Sequence, residues 1–240
     1  STFIMMIICS ALPSDSAGFS LDYSIGFNGH FQLNSWTPLS VELDNRSRAT
    51  SANLEVIVTS GSEYQGDVFR TTYTTQVDLP QNSKKRYAFT VLIKSFTHEL
   101  IIRLRQDDDI LLSKSINLRS HFTEKNFAVV ADNFVAPDIL SVLPNHLNPA
   151  NVRPKFLPET WYGYNSVKLL ILRAETIRQL RDRQFQALIR WLKQGGYLVV
   201  GTGLNYGSLG DKRLQDILPI RVGGHQQLFE LKSLGQFCGR

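Results

Sequence analysis

Cysteine and methionine are scarce in this chain, with two of each among 240 residues. Cys9 and Cys238 stand near opposite ends, so the fold between them must rest on buried apolar side chains and not on a disulfide framework. Long hydrophobic runs are missing as well. Even Phe3-Ile4-Met5-Met6-Ile7-Ile8 is far too short to span a bilayer. Neither sign of charge dominates: 26 Lys and Arg against 21 Asp and Glu leave a net +5. The densest basic groups, Lys84-Lys85-Arg86 and Arg178, Arg181, Arg183, Arg190, read as solvated faces of a strand and a helix. No recognition motif accompanies them, which argues against a nucleic-acid partner. His30, His98, His121 and His146 are dispersed without metal-ligand spacing, so no metal or other cofactor is predicted. No repeat of fixed period appears.

The apolar run at residues 3 to 8 is followed by small and polar residues from Ser10 to Gly18. It resembles the end of a secretory signal peptide that lacks its charged start, with cleavage near Ser16 or Ala17. A buried first strand is the alternative. Ile8 before Cys9 argues against a lipoprotein site, where a small residue is required. Residues 1–17 are thus expected to be a signal remnant, and the protein to be exported to the periplasm or the membrane-anchored cell envelope. Export would leave Cys238 alone, paired beyond the sequence or simply buried. His225 is near it in sequence, but no known spacing supports a nucleophile and base pair.

From Phe19 to Leu118 the pattern has a period of two. Leu39, Val41, Leu43; Leu54, Val56, Val58; Tyr87, Phe89, Val91, Ile93; and Leu100, Ile102, Leu104 alternate with other residues, as half-buried strands do. Turn signals separate them at Asp44-Asn45, Ser60-Gly61, Pro80-Gln81-Asn82-Ser83 and Asp107-Asp108-Asp109. The acidic triplet reads as a hairpin turn and not a calcium loop, because adjacent carboxylates on a tight turn point in different directions. About seven strands at such spacing predict an all-β immunoglobulin-like sandwich over residues 18–120.

Arg119 to Lys125 reads as a linker, and beyond it strands alternate with helices. Phe127-Ala128-Val129-Val130-Ala131 is a continuous apolar run, as in a strand covered on both faces. Pro137 and Pro144 bracket a short helix, and Val152 to Leu157 is a weaker strand broken by prolines. Val167 to Leu172 is another buried strand. One long helix follows, with Thr176 and Gln179 in the form of a capping box. Ile177, Leu180, Phe185, Leu188, Trp191 and Leu192 share its apolar arc, opposite Asp182, Arg183, Gln186, Arg190 and Lys193. Gly195-Gly196 stops it, and Tyr197 to Val200 returns to the sheet. The prediction for residues 125–240 is an α/β flavodoxin-like parallel sheet, incomplete where the sequence ends at Phe237-Cys238-Gly239-Arg240.

Val167 to Leu172, then Gln184-Phe185-Gln186-Ala187-Leu188-Ile189-Arg190-Trp191-Leu192-Lys193-Gln194-Gly195-Gly196-Tyr197-Leu198-Val199-Val200, resembles the class I glutamine amidotransferase-like fold. Gly29, Trp36-Thr37-Pro38 and Val41-Glu42-Leu43-Asp44-Asn45 are similar to the N-terminal sandwich found in exported, membrane-anchored bacterial members. Those members are often non-catalytic. The true amidotransferases carry a Gly-x-Cys-x-Gly elbow after a strand, with a later His and Glu. Here the corresponding residues are Gly201-Thr202-Gly203-Leu204-Asn205, without a nucleophile, and His225 and Glu230 lie outside the family's spacing. The resemblance therefore implies a protein that is not an enzyme.

Two weaker patterns lead away from chemistry. Gly201, Gly203 and Gly207 follow a late strand without the acidic partner of a dinucleotide fingerprint. Gly207-Ser208-Leu209-Gly210 is one residue short of a serine-hydrolase elbow. Asp132 and Asp138 flank the first α/β strand's end, a carboxylate pair with no further support. The candidate ligand or partner site is Trp161, Tyr162 and Tyr164 with Thr202, Asn205 and Tyr206, placed together on the carboxyl edge of the sheet. The alternative is that the aromatics seal one domain against the other. The leading expectation is a non-enzymatic envelope scaffold with an unknown protein partner and membrane association through segments outside this sequence. A glycan-binding or small-ligand module is second, and a divergent hydrolase third.

Overall fold

The computed structural model describes residues 18–61, 67–132, 145–201, 207 and 210–218. Seven antiparallel strands come first. β1 (Phe19–Ile25), β2 (Ser35–Asn45) and β5 (Ser83–Ile93) form one sheet. β4 (Phe69–Leu79), β3 (Thr50–Ser60), β6 (Leu100–Gln106) and β7 (Asp109–Ile116) form the other, in the order β4-β3-β6-β7. Because side chains alternate between faces, Leu39, Val41 and Leu43 of one sheet meet Leu54, Val56, Val58, Ile102 and Leu104 of the other in a single buried cluster. Gln106 pairs with Asp109, so the acidic triplet is the hairpin turn expected, with Asp107 in the left-handed region at φ 51°.

The Val-x-Leu-x-Asn pattern closes β2 with a fully buried Asn45. Its Nδ2 donates to the carbonyls of Leu79 and Arg48, both at 2.9 Å, and of Pro80 at 3.2 Å. Its Oδ1 accepts from the Ser47 backbone N–H at 2.9 Å and the Ser47 hydroxyl at 3.0 Å. One side chain thus ties the end of β2 to the end of β4 in the opposite sheet, and satisfies turn groups that would otherwise be buried unpaired.

The second part is a four-stranded parallel sheet. β8 (Phe127–Ala131), β9 (Asn148–Val152), β10 (Val167–Arg173) and β11 (Tyr197–Gly201) lie in the order β11-β10-β8-β9. Every residue of β8 is buried, which matches its unbroken apolar sequence. The weak strand placed at Val152 to Leu157 is instead Asn148–Val152, followed by a 3-10 turn at Pro154–Phe156. Pro154 and Pro158 have no N–H for a ladder, whereas Pro149 is tolerated because β9 is an edge strand among the described residues.

The single long helix is also corrected. It is two helices, α1 (Ala174–Gln179) and α2 (Asp182–Lys193), separated by extended Leu180 and Arg181. Thr176 is buried inside α1 and caps nothing. The carbonyl of Leu180, freed by the break, accepts from Arg213 Nη1 at 2.6 Å, on the short helix α3 (Lys212–Gln215). The apolar arc is as expected: Ile177, Leu180, Phe185, Leu188 and Trp191 are buried against Val129, Leu170 and Leu172. Gly195 takes φ 92°, and a Cβ at Gly196 would lie 2.3 Å from the Trp191 ring. The two glycines therefore answer different demands, a left-handed helix stop and a close approach.

The linker segment is bound to the sandwich. Phe31 donates its N–H to the His121 carbonyl at 2.8 Å, and Thr123 donates to the Phe31 carbonyl at 2.9 Å. The signal-peptide region and the helix expected between Pro137 and Pro144 lie outside the described residues. Replacing Asn45 by Ala should lower the free energy of unfolding by about 2–3 kcal/mol through its stranded partners. Urea denaturation should show this as a lower midpoint with an unchanged slope.

Candidate functional site

In a doubly wound sheet, ligands collect at the carboxyl end where strand order reverses. Here the chain passes from β8 to β9 on one side and then to β10 on the other, so the reversal lies between β8 and β10. Asp132, just after β8, and Arg173, closing β10, meet there. Arg173 Nε lies 2.6 Å from Asp132 Oδ2, and Arg173 Nη2 donates to Oδ1 at 2.7 Å. This two-pronged ion pair spans the reversal point. Asp138, the proposed companion of Asp132, lies outside the described residues.

The predicted aromatic site is not assembled on that edge. Trp161–Tyr164 form a 3-10 turn immediately before β10, and Asn126, Val167 and Gly196 surround Trp161 at the amino edge. Gly201, from which the Thr202 to Tyr206 segment departs, pairs with Arg173 at the opposite end. The reason is topological. Two parallel strands need a connection that travels back along the sheet, and residues 153–166 make that return before β10 begins. Thr202, Asn205 and Tyr206 lie outside the described residues.

The three aromatics have separate environments. Tyr164 is fully buried, its ring 5.4 Å from Trp191 and its hydroxyl donating to the Pro158 carbonyl at 3.3 Å. It has no surface to offer a ligand, and burial pushes its phenol far above the ordinary range. Tyr162 packs against Trp36 of the sandwich at 5.0 Å. Only Trp161 faces outward, at 37% exposure. Phe27 extends the seam: it belongs to the buried cluster of the α/β part, 5.3 Å from Phe127. Thr90 and Thr160 share a 3.0 Å hydrogen bond across it. The sealing alternative thus accounts for Tyr162, and Tyr164 belongs to the core.

Beside this seam is a cleft of about 280 Å³. Ser24, Ser40, Arg86, Ala88 and Thr90, on the outward face of the β1-β2-β5 sheet, form its floor, and Lys155 to Thr160 with Arg181 and Arg183 form its walls. The connector wall is anchored by Gln184, buried on α2. Its Nε2 donates to the carbonyls of Pro154 at 3.0 Å and Leu157 at 2.9 Å, and its Oε1 accepts from the Arg181 N–H at 3.2 Å. Arg86 lies over the Phe156 ring at 4.7 Å, and Lys155 lies 5.0 Å from the same ring. Burial lowers the Arg86 pKa, and the neighbouring Arg181 charge lowers it further.

Sequence reasoning missed Gln184 and treated Arg86 as a solvated residue. Gln184 had a usable signal, since it lies between Leu180 and Leu188 at i±4 on the apolar arc. Arg86 had none. Among the described residues no group of three or more His, Cys, Asp and Glu is placed to hold a metal.

Residues 18–119 match a family model described as a domain of unknown function, DUF8726. That span contains all the strands from β1 to β7. No curated protein matches the chain. Among solved structures, a beta-glucosidase from Listeria innocua in complex with isofagomine is 12% identical over 41% of this chain, with a TM-score of 0.30. The match spans only 16% of the glucosidase. The Pseudomonas fluorescens alkylpurine DNA glycosylase AlkC bound to DNA is 12% identical over 42% of this chain and 30% of its own, at 0.31. A CARDB domain from Pyrococcus furiosus is 10% identical over 45% of this chain and 93% of its own, at 0.29. Superpositions at this level carry no inference about function.

Two outcomes test the seam. Trp36→Ala or Tyr162→Ala should expose the connector and accelerate its cleavage in limited proteolysis, while Trp161→Ala should leave the pattern unchanged. In alkaline titration, Tyr164 stays protonated in the folded state while its unfolded counterpart ionises near pH 10. Its contribution to stability is therefore complete below that pH and is lost progressively above it. Tyr164→Phe should flatten the alkaline fall in thermal midpoint.

Proposed function

We propose that this chain is a non-enzymatic interaction module of the bacterial cell envelope. In this reading an immunoglobulin-like sandwich is joined to an amidotransferase-like α/β domain with no nucleophile at its elbow. It would be exported, held at the membrane by segments outside this sequence, and would present its two domains as one body to a protein partner. The observation that supports this most is the seam itself. The aromatics that sequence order assigned to a ligand site are engaged instead in the Trp36–Tyr162 contact and the Tyr164–Trp191 core. A fixed relation between domains suits a scaffold more than a hinged catalyst.

Among the described residues β11 is an edge strand, and its Tyr197, 60% exposed, and Val199, 49% exposed, offer a surface for such a partner. A photocrosslinking residue at Tyr197 or Val199, in the envelope of the native host, should give a discrete protein adduct. Trp36→Ala with Tyr162→Ala should weaken that adduct by disturbing the seam. Absence of any adduct from Tyr197, Val199 and Trp161 would overturn the scaffold reading.

A second reading is favoured by Trp161, whose exposed ring borders a groove with Asp182, Arg183, Gln186 and Arg190. There the protein would hold a glycan or small ligand by stacking. Loss of glycan-array signal in Trp161→Ala, with folding intact, would support it in place of a protein partner.

A further inference from the structure

We propose that the cleft floored by the β1-β2-β5 sheet binds a small ligand through an oxyanion, a phosphate or carboxylate group seated on Arg86. This goes beyond the scaffold reading and does not rest on it. The floor is built from short side chains, Ser24, Ser40 and Ala88, around one long one. Short residues beside a charged side chain leave room that the protein does not fill.

The cleft's charge is unbalanced. Arg86, Lys155, Arg181 and Arg183 line it against one carboxylate, Glu159. Glu159 is already engaged by Arg181 Nη1 at 2.7 Å. Glu42, opposite Arg86 in the strand register, is engaged by Lys84 Nζ at 2.6 Å. Arg86 Nη1 is consequently buried without a hydrogen-bond partner among the described residues. A buried, unpaired guanidinium donor is unfavourable by itself, and the approach of Arg181 adds repulsion.

The missing group has a defined chemistry. It must accept hydrogen bonds, carry negative charge and fit about 280 Å³. Guanidinium groups recognise planar or tetrahedral oxyanions through paired N–H donors, and more strongly out of bulk water. Phe156 packs against Arg86, its ring centroid 4.7 Å from the guanidinium carbon, and Pro38, Pro158 and Tyr162 supply apolar wall. A compact ligand with an apolar body and one anionic end meets both demands. Exposed Arg183 and Lys155 would attract it and add a salt-dependent contribution.

The test is isothermal titration of the full chain at low ionic strength with phenyl phosphate, benzoate and neutral phenol. Saturable binding of either anion, weakened by salt and absent for phenol, is expected. The better of the two identifies the head group. Arg86→Met should weaken it about tenfold or more, as loss of a charge-assisted hydrogen bond does, and Arg183→Gln about twofold to fivefold at low salt, as loss of an exposed attracting charge does. Arg183 is exposed and outside the packed core, so its variant reports on binding even where Arg86→Met perturbs Phe156. Phosphate should also raise the thermal midpoint of the wild type but not of Arg86→Met. No saturation with either anion, or unchanged affinity in both variants, would overturn the proposal.

Discussion

The side-chain amide of Gln184 holds the most consequential segment of the molecule in place. Residues 153–166 return along the sheet through two short 3-10 turns, which satisfy only some of their backbone groups internally. Gln184 accepts that task from the first turn of α2, bonding the carbonyls of Pro154 and Leu157. With the connector fixed there, Phe156 lies under Arg86, Tyr162 reaches Trp36, and Tyr164 enters the core against Trp191. The cleft wall, the seam and part of the α/β core thus share one buried polar anchor.

A second polar anchor does the same for the sandwich. Asn45 joins the ends of two facing sheets through five hydrogen-bonded groups. Both anchors are amides, neutral and able to donate and accept together. A carboxylate in either place would meet carbonyl oxygens and carry a desolvation cost. The resemblance motifs at Val41 to Asn45 and Gln184 to Val200 therefore have a mechanical explanation within this chain.

The strands were largely legible because alternation is local. Leu39, Val41 and Leu43 needed only their neighbours to declare a face, and the buried run at Phe127 to Ala131 declared a covered strand in the same way. Helix identity was legible from the arc of Phe185, Leu188 and Trp191, but its break was not. Leu180 and Arg181 are ordinary helix formers, and their extended conformation follows from distant partners, Arg213 and the connector. The aromatic turn failed for a related reason. Sequence order placed Trp161 to Tyr164 after a strand, while the return path of the chain decided which end of the sheet they occupy. Arg86 faced outward from its own sheet as expected, and only the second domain's position turned that face into a cleft.

The double attachment of the connector makes its length a tightly held quantity. One extra residue between Leu157 and Tyr162 adds about 3.3–3.6 Å of chain, enough to carry the tyrosine ring off Trp36 or pull Leu157 from Gln184. The Asp107-Asp108 tip has no such double tether and can absorb additions at a surface hairpin. Related chains that keep this domain pairing should therefore vary freely in length at the tip while the span from Pro154 to Tyr164 keeps its residue count, whatever its composition becomes.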